Sequence, residues 1–298
     1  MAKSVNFEFP NHLSPKYIEE LFLKIEFDEW YSTSQIIEIL QRDLHIGGKE
    51  IALRNIDAWA TLGFGDRRIE KQKGGNRVFF KVSPLGRYLQ EIYSTNTELF
   101  YDLMHYFFYS TWIRSQDAHH GRFWVYLQIC QDLWQNAPSE MNSFKLASKL
   151  QSLVLETFPL YSPTFSERAI RAAFPWLTKL SPPFLVKLGT KSELTSQKRN
   201  YCTPQLFHLA VDLLCAERKI SYGTTLNIDD EIIADISMTC LLDPSRFWEM
   251  AERTQMMVKG FEIQKSQWGP TVSLSQAPNW IELPVFSKPE EINDEGIE

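Results

Sequence analysis

A chain of 298 residues is longer than most single domains, and 44% hydrophobic with 23% charged residues excludes a disordered or fibrous polymer. The 20 Phe, 11 Tyr and 9 Trp supply large side chains for well-filled cores. A formal charge of -6 excludes a surface coated for nucleic acid, so contact of that kind would need a local basic patch.

In chain order, residues 1 to 12 read as a short extended arm. Ser14 and Pro15 start a helix whose apolar positions are Tyr17, Leu21, Phe22 and Ile25. After the link FDEWYS, Ser32 and Gln35 fit a capping box for a second helix, with Ile36, Ile37 and Leu40 on its apolar face. LHIGG is a turn, and KEIALRNIDAWATLGF is a third helix ended by Gly63. RIEKQ and NRVFFKV, joined at KGG, predict a hairpin. Ser83 and Pro84 then cap the helix PLGRYLQEIY, in which Gly86 is a weak point.

From Thr97 to about Trp134 the chain is aromatic and helical in spacing. It predicts two helices, apolar over more than one face, at the centre of a second domain. SFKLASKLQSLVLETF reads as another helix, and residues 166 to 174 as a short one bounded by prolines. QLFHLAVDLLCAE, NIDDEIIADISMTCLL and PSRFWEMAERTQMMV are helical, GFEIQKSQWGPTVSL contains a two-stranded turn, and KPEEINDEGIE is an acidic tail. The fold class expected is mainly α, an N-terminal winged helix-turn-helix followed by a predominantly helical domain. The boundaries expected are 1–93 for the winged helix, 94–286 for a helical domain that oligomerises or binds partners, and 287–298 for a flexible acidic tail.

A helix-turn-helix enters the major groove through the N-terminal part of its second helix. That rule assigns Lys49, Arg54 and Asn55 to base edges, since Arg pairs with guanine and Asn with adenine. The backbone contacts expected are the amide of Gly48 and the side chains of Arg67, Arg68, Lys71, Lys73 and Arg77. From Arg67 to Arg87 seven basic residues accompany one acid, Glu70. The same element also serves as a protein-binding module, and Glu50, Asp57 and Glu70 weaken the nucleic-acid reading.

Signals for chemistry are sparse. His105, Asp117, His119 and His120 combine imidazole and carboxylate, which suits a metal, yet no HExxH or linked cysteine spacing supports them. Polar surface or a helix cap is the plainer reading of that group. His208 reads as a satisfied core histidine, and Asp229, Asp230 and Glu231 as charge at a helix start. No phosphate-loop pattern is present. No catalytic residue and no cofactor is therefore assigned. Cys130, Cys202, Cys215 and Cys240 form no CxxC pair and read as free thiols in the cytoplasm, and no apolar run long enough for a membrane anchor is present.

LHIGGKEIALRNIDAWATLGF, the RRIEKQ to SPLG segment and LFYDLMHYFFYSTW together resemble an uncharacterised bacterial winged-helix family encoded near DNA-phosphorothioation and phage-defence genes. The matching positions are Gly47, Gly48, Pro84 to Gly86 and His105, within roughly residues 13 to 125. The resemblance implies an antiviral-defence setting, with double-stranded DNA and protein subunits of that system, or a second copy, as partners. The function expected is a non-enzymatic DNA-binding regulator, of transcription for example, or an accessory subunit. The first alternative is a protein-interaction subunit of a larger assembly that does not contact DNA. The second is a nuclease or DNA-modifying enzyme with a noncontiguous acidic and histidine site.

Overall fold

The computed structural model describes residues 3–7, 9, 14–26, 28–44, 56, 59–60, 62–72, 75–115, 121–159, 161–164, 166–187, 193–267 and 269–278. The chain divides into two compact units. The larger comprises Met1–Pro15 with Thr97–Ala277, and the smaller Lys16–Asn96 with Pro278–Glu298. Helices predominate, joined by small open β-sheets. No helix among the described residues is long and apolar enough to cross a membrane.

The smaller unit begins with α1 (Pro15–Lys24), followed by β2 (Tyr31–Ser32) and α2 (Thr33–Leu44); the label β1 belongs to Lys3–Asn6 of the larger unit. The reciprocal cap expected of Ser32 and Gln35 is made. Ser32 N donates to Gln35 Oε1 at 2.8 Å, and Gln35 N to Ser32 Oγ at 3.3 Å. The strands β3 (Gly65–Gln72) and β4 (Gly75–Val82) pair antiparallel over their whole length, and β2 joins β4 on its other side. The sheet order is β2-β4-β3, so β3 is an edge. Ile18, Leu21, Phe22, Ile36, Leu40, Trp59, Phe80 and Leu89 are buried and fill the core.

The last helix of this unit, α3 (Pro84–Thr95), is capped by Ser83, whose side chain accepts from Gly86 N at 3.0 Å. Gly86 is no weak point. A Cβ at this position would lie 2.1 Å from the Phe64 carbonyl oxygen and 2.8 Å from Val82 Cγ1. The glycine lets the first turn of α3 close on the backbone entering β3. Gly86→Ala is expected to destabilise the unit by about 1–3 kcal/mol through overpacking, although alanine is the better helix former by roughly 1 kcal/mol. Chemical denaturation checks this, and an unchanged or raised midpoint would contradict it.

The larger unit is built on α4 (Thr97–Ser115), α5 (Gly121–Asn136) and α8 (Pro204–Glu217), whose side chains are buried on several faces. Around them lie α6 (Ser143–Thr157), α7 (Glu167–Lys179), α9 (Asp230–Thr239) and α10 (Phe247–Met257). Phe108 is fully buried and touches Phe9, Phe123, Tyr126 and Trp176, with ring centroids 5.0 to 6.2 Å apart. The N-terminal arm belongs to this unit, because β1 (Lys3–Asn6) pairs in parallel with β6 (Tyr161–Thr164).

Two three-stranded sheets complete the larger unit. β5 (Ser139–Glu140), β7 (Leu185–Lys187) and β8 (Leu194–Ser196) run in the order β5-β8-β7. β9 (Thr225–Asn227), β10 (Phe261–Ser266) and β11 (Gly269–Leu274) run in the order β10-β11-β9. The short helix bounded by prolines differs from expectation: α7 runs through Pro175 to Lys179. Proline removes one backbone donor, but Trp176 and Leu177 beyond it are buried at 1% and 0% exposure. Burial of those side chains outweighs the local cost.

Candidate interaction surface

The sheet register sorts the hairpin side chains onto two faces, because directly opposed residues of an antiparallel pair point the same way. Arg67 faces the same side as Phe80, Ile69 as Val78 and Lys71 as Asn76. This is the side on which Phe80 and Val82 enter the core. Arg68 shares the opposite side with Phe79, Glu70 with Arg77, and Asp66 with Lys81.

That second, outward side carries a compact cluster. The Arg68 guanidinium lies 4.6 Å from the centre of the Trp30 ring and 5.3 Å from that of Phe79, and Lys81 Nζ lies 5.3 Å from Trp30. The Trp30 ring thus carries two cations, while Arg68 also pairs with Glu70 at 2.8 Å. Trp30 and Phe79 are half-buried, and Arg68 and Arg77 are exposed. Next to Trp30, the Tyr31 hydroxyl donates to Glu29 Oε2 at 3.1 Å. Its pKa is raised, first by burial and then by Glu29. Ile69, on the edge strand, is 52% exposed despite its apolar side chain.

The cations expected to hold DNA are thus divided. Arg67 and Lys71 lie on one face and Arg68 and Arg77 on the other, with Glu70 opposite Arg77 and paired to Arg68. Gly48, Lys49, Arg54, Asn55 and Lys73 lie outside the described residues. The sequence reading missed Trp30, Phe79 and Lys81. The signal available was an aromatic beside the short strand YS, facing a strand with adjacent phenylalanines and a lysine.

His105 is not a metal ligand here. It is buried, its Nε2 donates to the Thr239 carbonyl at 2.8 Å, and its Nδ1 accepts from the Tyr126 hydroxyl at 3.1 Å. Both ring nitrogens are thereby occupied, and burial pushes its pKa down to about 3. Asp117, His119 and His120 lie outside the described residues. Among the described residues no group of three His, Cys, Asp or Glu side chains is arranged to hold a metal ion. His208 is buried but not satisfied: neither ring nitrogen has a hydrogen-bond partner among the described residues, the ring stands edge-on to Phe261, and burial lowers its pKa to about 4. Asp229 caps α9 by accepting from Ile232 N at 2.8 Å.

No family model matches the chain, and no curated protein matches it. Among solved structures the likeness is to SspB. One match, titled "SspB crystal structure", has a TM-score of 0.59 at 10% identity and covers 95% of this chain and 88% of that one. A second, titled "Magnesium ion-bound SspB crystal structure", has a TM-score of 0.59 at 10% identity and covers 94% of this chain and 87% of that one. At such identity the shared property is the fold.

These findings correct the earlier expectations. The chain-long likeness is to SspB, so assignment to the winged-helix family near phosphorothioation and phage-defence genes is withdrawn. The DNA-binding regulator or defence accessory, with double-stranded DNA as partner, is withdrawn with it. The divided and partly neutralised hairpin gives the physical reason, since no continuous positive face forms among the described residues. The alternative of a protein-interaction subunit agrees better with these observations.

Proposed function

We propose that this chain is a protein-interaction subunit of a larger assembly and docks its partner on the outward face of the β2-β4-β3 sheet. The observation that carries the reading is the Trp30 ring set under Arg68 and Lys81 beside Phe79. Trp and Arg are the side chains that most often dominate the energy of protein interfaces. Holding Arg68 against two rings reduces the conformational freedom it loses on binding. A partner carrying carboxylates around an apolar patch would complement this aromatic and cationic face.

A helix-turn-helix with a hairpin wing is the finer architecture proposed for the smaller unit, as a scaffold alone. It is supported by α1, α2, helical backbone at Ile56, Trp59 and Ala60, and the three-stranded sheet. The helical unit supplies further partner or self-association contacts, and the four free, buried cysteines suit a cytoplasmic setting.

A photoreactive side chain placed at position 77 of the full chain, exposed on the outward face beside Phe79, tests the surface in the native host. A discrete protein adduct is expected from position 77, and none from a control site at Tyr222, which is also exposed. Adducts from Tyr222 alone would move the interface elsewhere and sink this assignment.

A further inference from the structure

The larger unit contains a cavity of about 310 Å³ where α4, α5, α8 and α9 converge. Its apolar wall is formed by Tyr109, Ile113, Leu214 and Met238, and its rim by Gln131, Glu217, Arg218 and Asp235. Gaps between helices of a bundle are common ligand sites, and this volume falls at the lower end of the usual ~300–1,000 Å³.

The rim is short of positive charge. Arg218 Nη2 lies 2.9 Å from Glu231 Oε1 and 3.0 Å from Asp235 Oδ2, so its cation is already divided between two carboxylates. Of the two carboxylates that line the cavity, Asp235 is the one paired with Arg218, and Glu217 is the other. Its pKa is raised, first by burial and then by Asp235, with Arg218 acting in the opposite direction. Tyr109 does not offset this, because burial raises its pKa and its hydroxyl is engaged with Thr239 and Gln131. A bare metal ion would leave the apolar wall unused, and no metal-holding group is found among the described residues.

We infer that this cavity binds a small organic cation, a primary ammonium on a short apolar body, with Glu217 and Asp235 receiving the charge. The apolar body packs on Leu214 and Met238, while the ammonium donates to the Glu217 carboxylate. The site is separate from the docking face proposed above and does not depend on it.

The probes are n-butylammonium, n-butanol, butyrate and magnesium chloride, titrated into the full chain at constant ionic strength and followed by the methyl resonances of its methionines. Saturable binding of the ammonium, with a shift of the Met238 methyl, is expected. Losing a charged hydrogen bond should weaken the alcohol, and the ammonium on Glu217→Gln, by about tenfold or more. Asp235→Asn serves as a second variant, and the thermal midpoint of each confirms that it is folded. Equal affinity for ammonium, alcohol and butyrate, no binding of any, or magnesium binding as tight as the ammonium would each overturn the inference.

Discussion

Replacing Arg199 by alanine is expected to destabilise the larger unit by about 3–5 kcal/mol, because it strands the buried Asp102 charge. Asp102 and Arg199 are both fully buried, with Arg199 Nη2 2.8 Å from Asp102 Oδ1. The guanidinium also donates to the carbonyls of Pro182 at 3.0 Å, Ser181 at 2.8 Å and Cys240 at 3.4 Å. Asp102 Oδ2 accepts from Thr203 N at 2.8 Å, at the start of α8. One side chain therefore ties α4 to the loop after α7 and to the segment after α9. The backbone repeats the link, with Arg199 N donating to Leu241 O at 2.9 Å and Asp243 N to Arg199 O at 2.7 Å. Exchanging both charges, as Asp102→Leu with Arg199→Met, should cost less than Arg199→Ala, because no lone charge remains. Urea denaturation of the two variants decides it, and equal or greater loss in the double variant would contradict the account.

Acidification should produce a second large effect, through buried histidines. His105 and His208 have pKa values lowered to about 3 and about 4 by burial. An unfolded histidine takes a proton near pH 6.5, so below that value the unfolded chain binds protons that the folded chain refuses. The stability present at pH 7 is then lost as pH falls through the window between 6.5 and these lowered values. Each histidine contributes about 1.4 kcal/mol per pH unit, or roughly 2 kcal/mol between pH 6.5 and 5. His208 has no hydrogen bond to lose among the described residues, so His208→Leu should remove its share of the slope and be relatively more stable at pH 5. Denaturation midpoints at pH 7, 6 and 5 test this. Stability that stays level or rises on acidification would contradict it.

The local signals of the sequence are the ones that agree with the structure. Ser32 with Gln35 and Ser83 with Pro84 each mark a helix start from nearby residues alone. The hairpin follows from two short runs around a glycine pair. What stayed hidden depends on contacts between distant residues. The Arg68 and Lys81 stack on Trp30 exists because β2 pairs with β4 in a register that sets Tyr31 opposite Phe80. Nothing in FDEWYS specifies that register.

Gly86 and Pro175 show the same limit in opposite directions. Helix propensity counts against both, yet the close approach of Phe64 requires the glycine, and buried Trp176 and Leu177 carry the helix past the proline. His105 was open to a metal reading only while Thr239 and Tyr126 could not be placed beside it. The basic run from Arg67 to Arg87 looked continuous because a sequence does not display the two sides of a strand. The register divides it, and one side becomes an aromatic and cationic face suited to a protein.

The most direct measurement is the affinity of the partner recovered by cross-linking at position 77 for the wild-type chain, Trp30→Ala and Arg68→Glu, with random duplex DNA titrated in parallel. Interface residues of this kind are worth about 2 kcal/mol or more. Each substitution should therefore weaken the partner more than about tenfold while leaving the thermal midpoint near that of the wild type, and the duplex should not bind. Partner affinity unchanged in both variants, or salt-sensitive duplex binding that Arg68→Glu abolishes, would contradict the account.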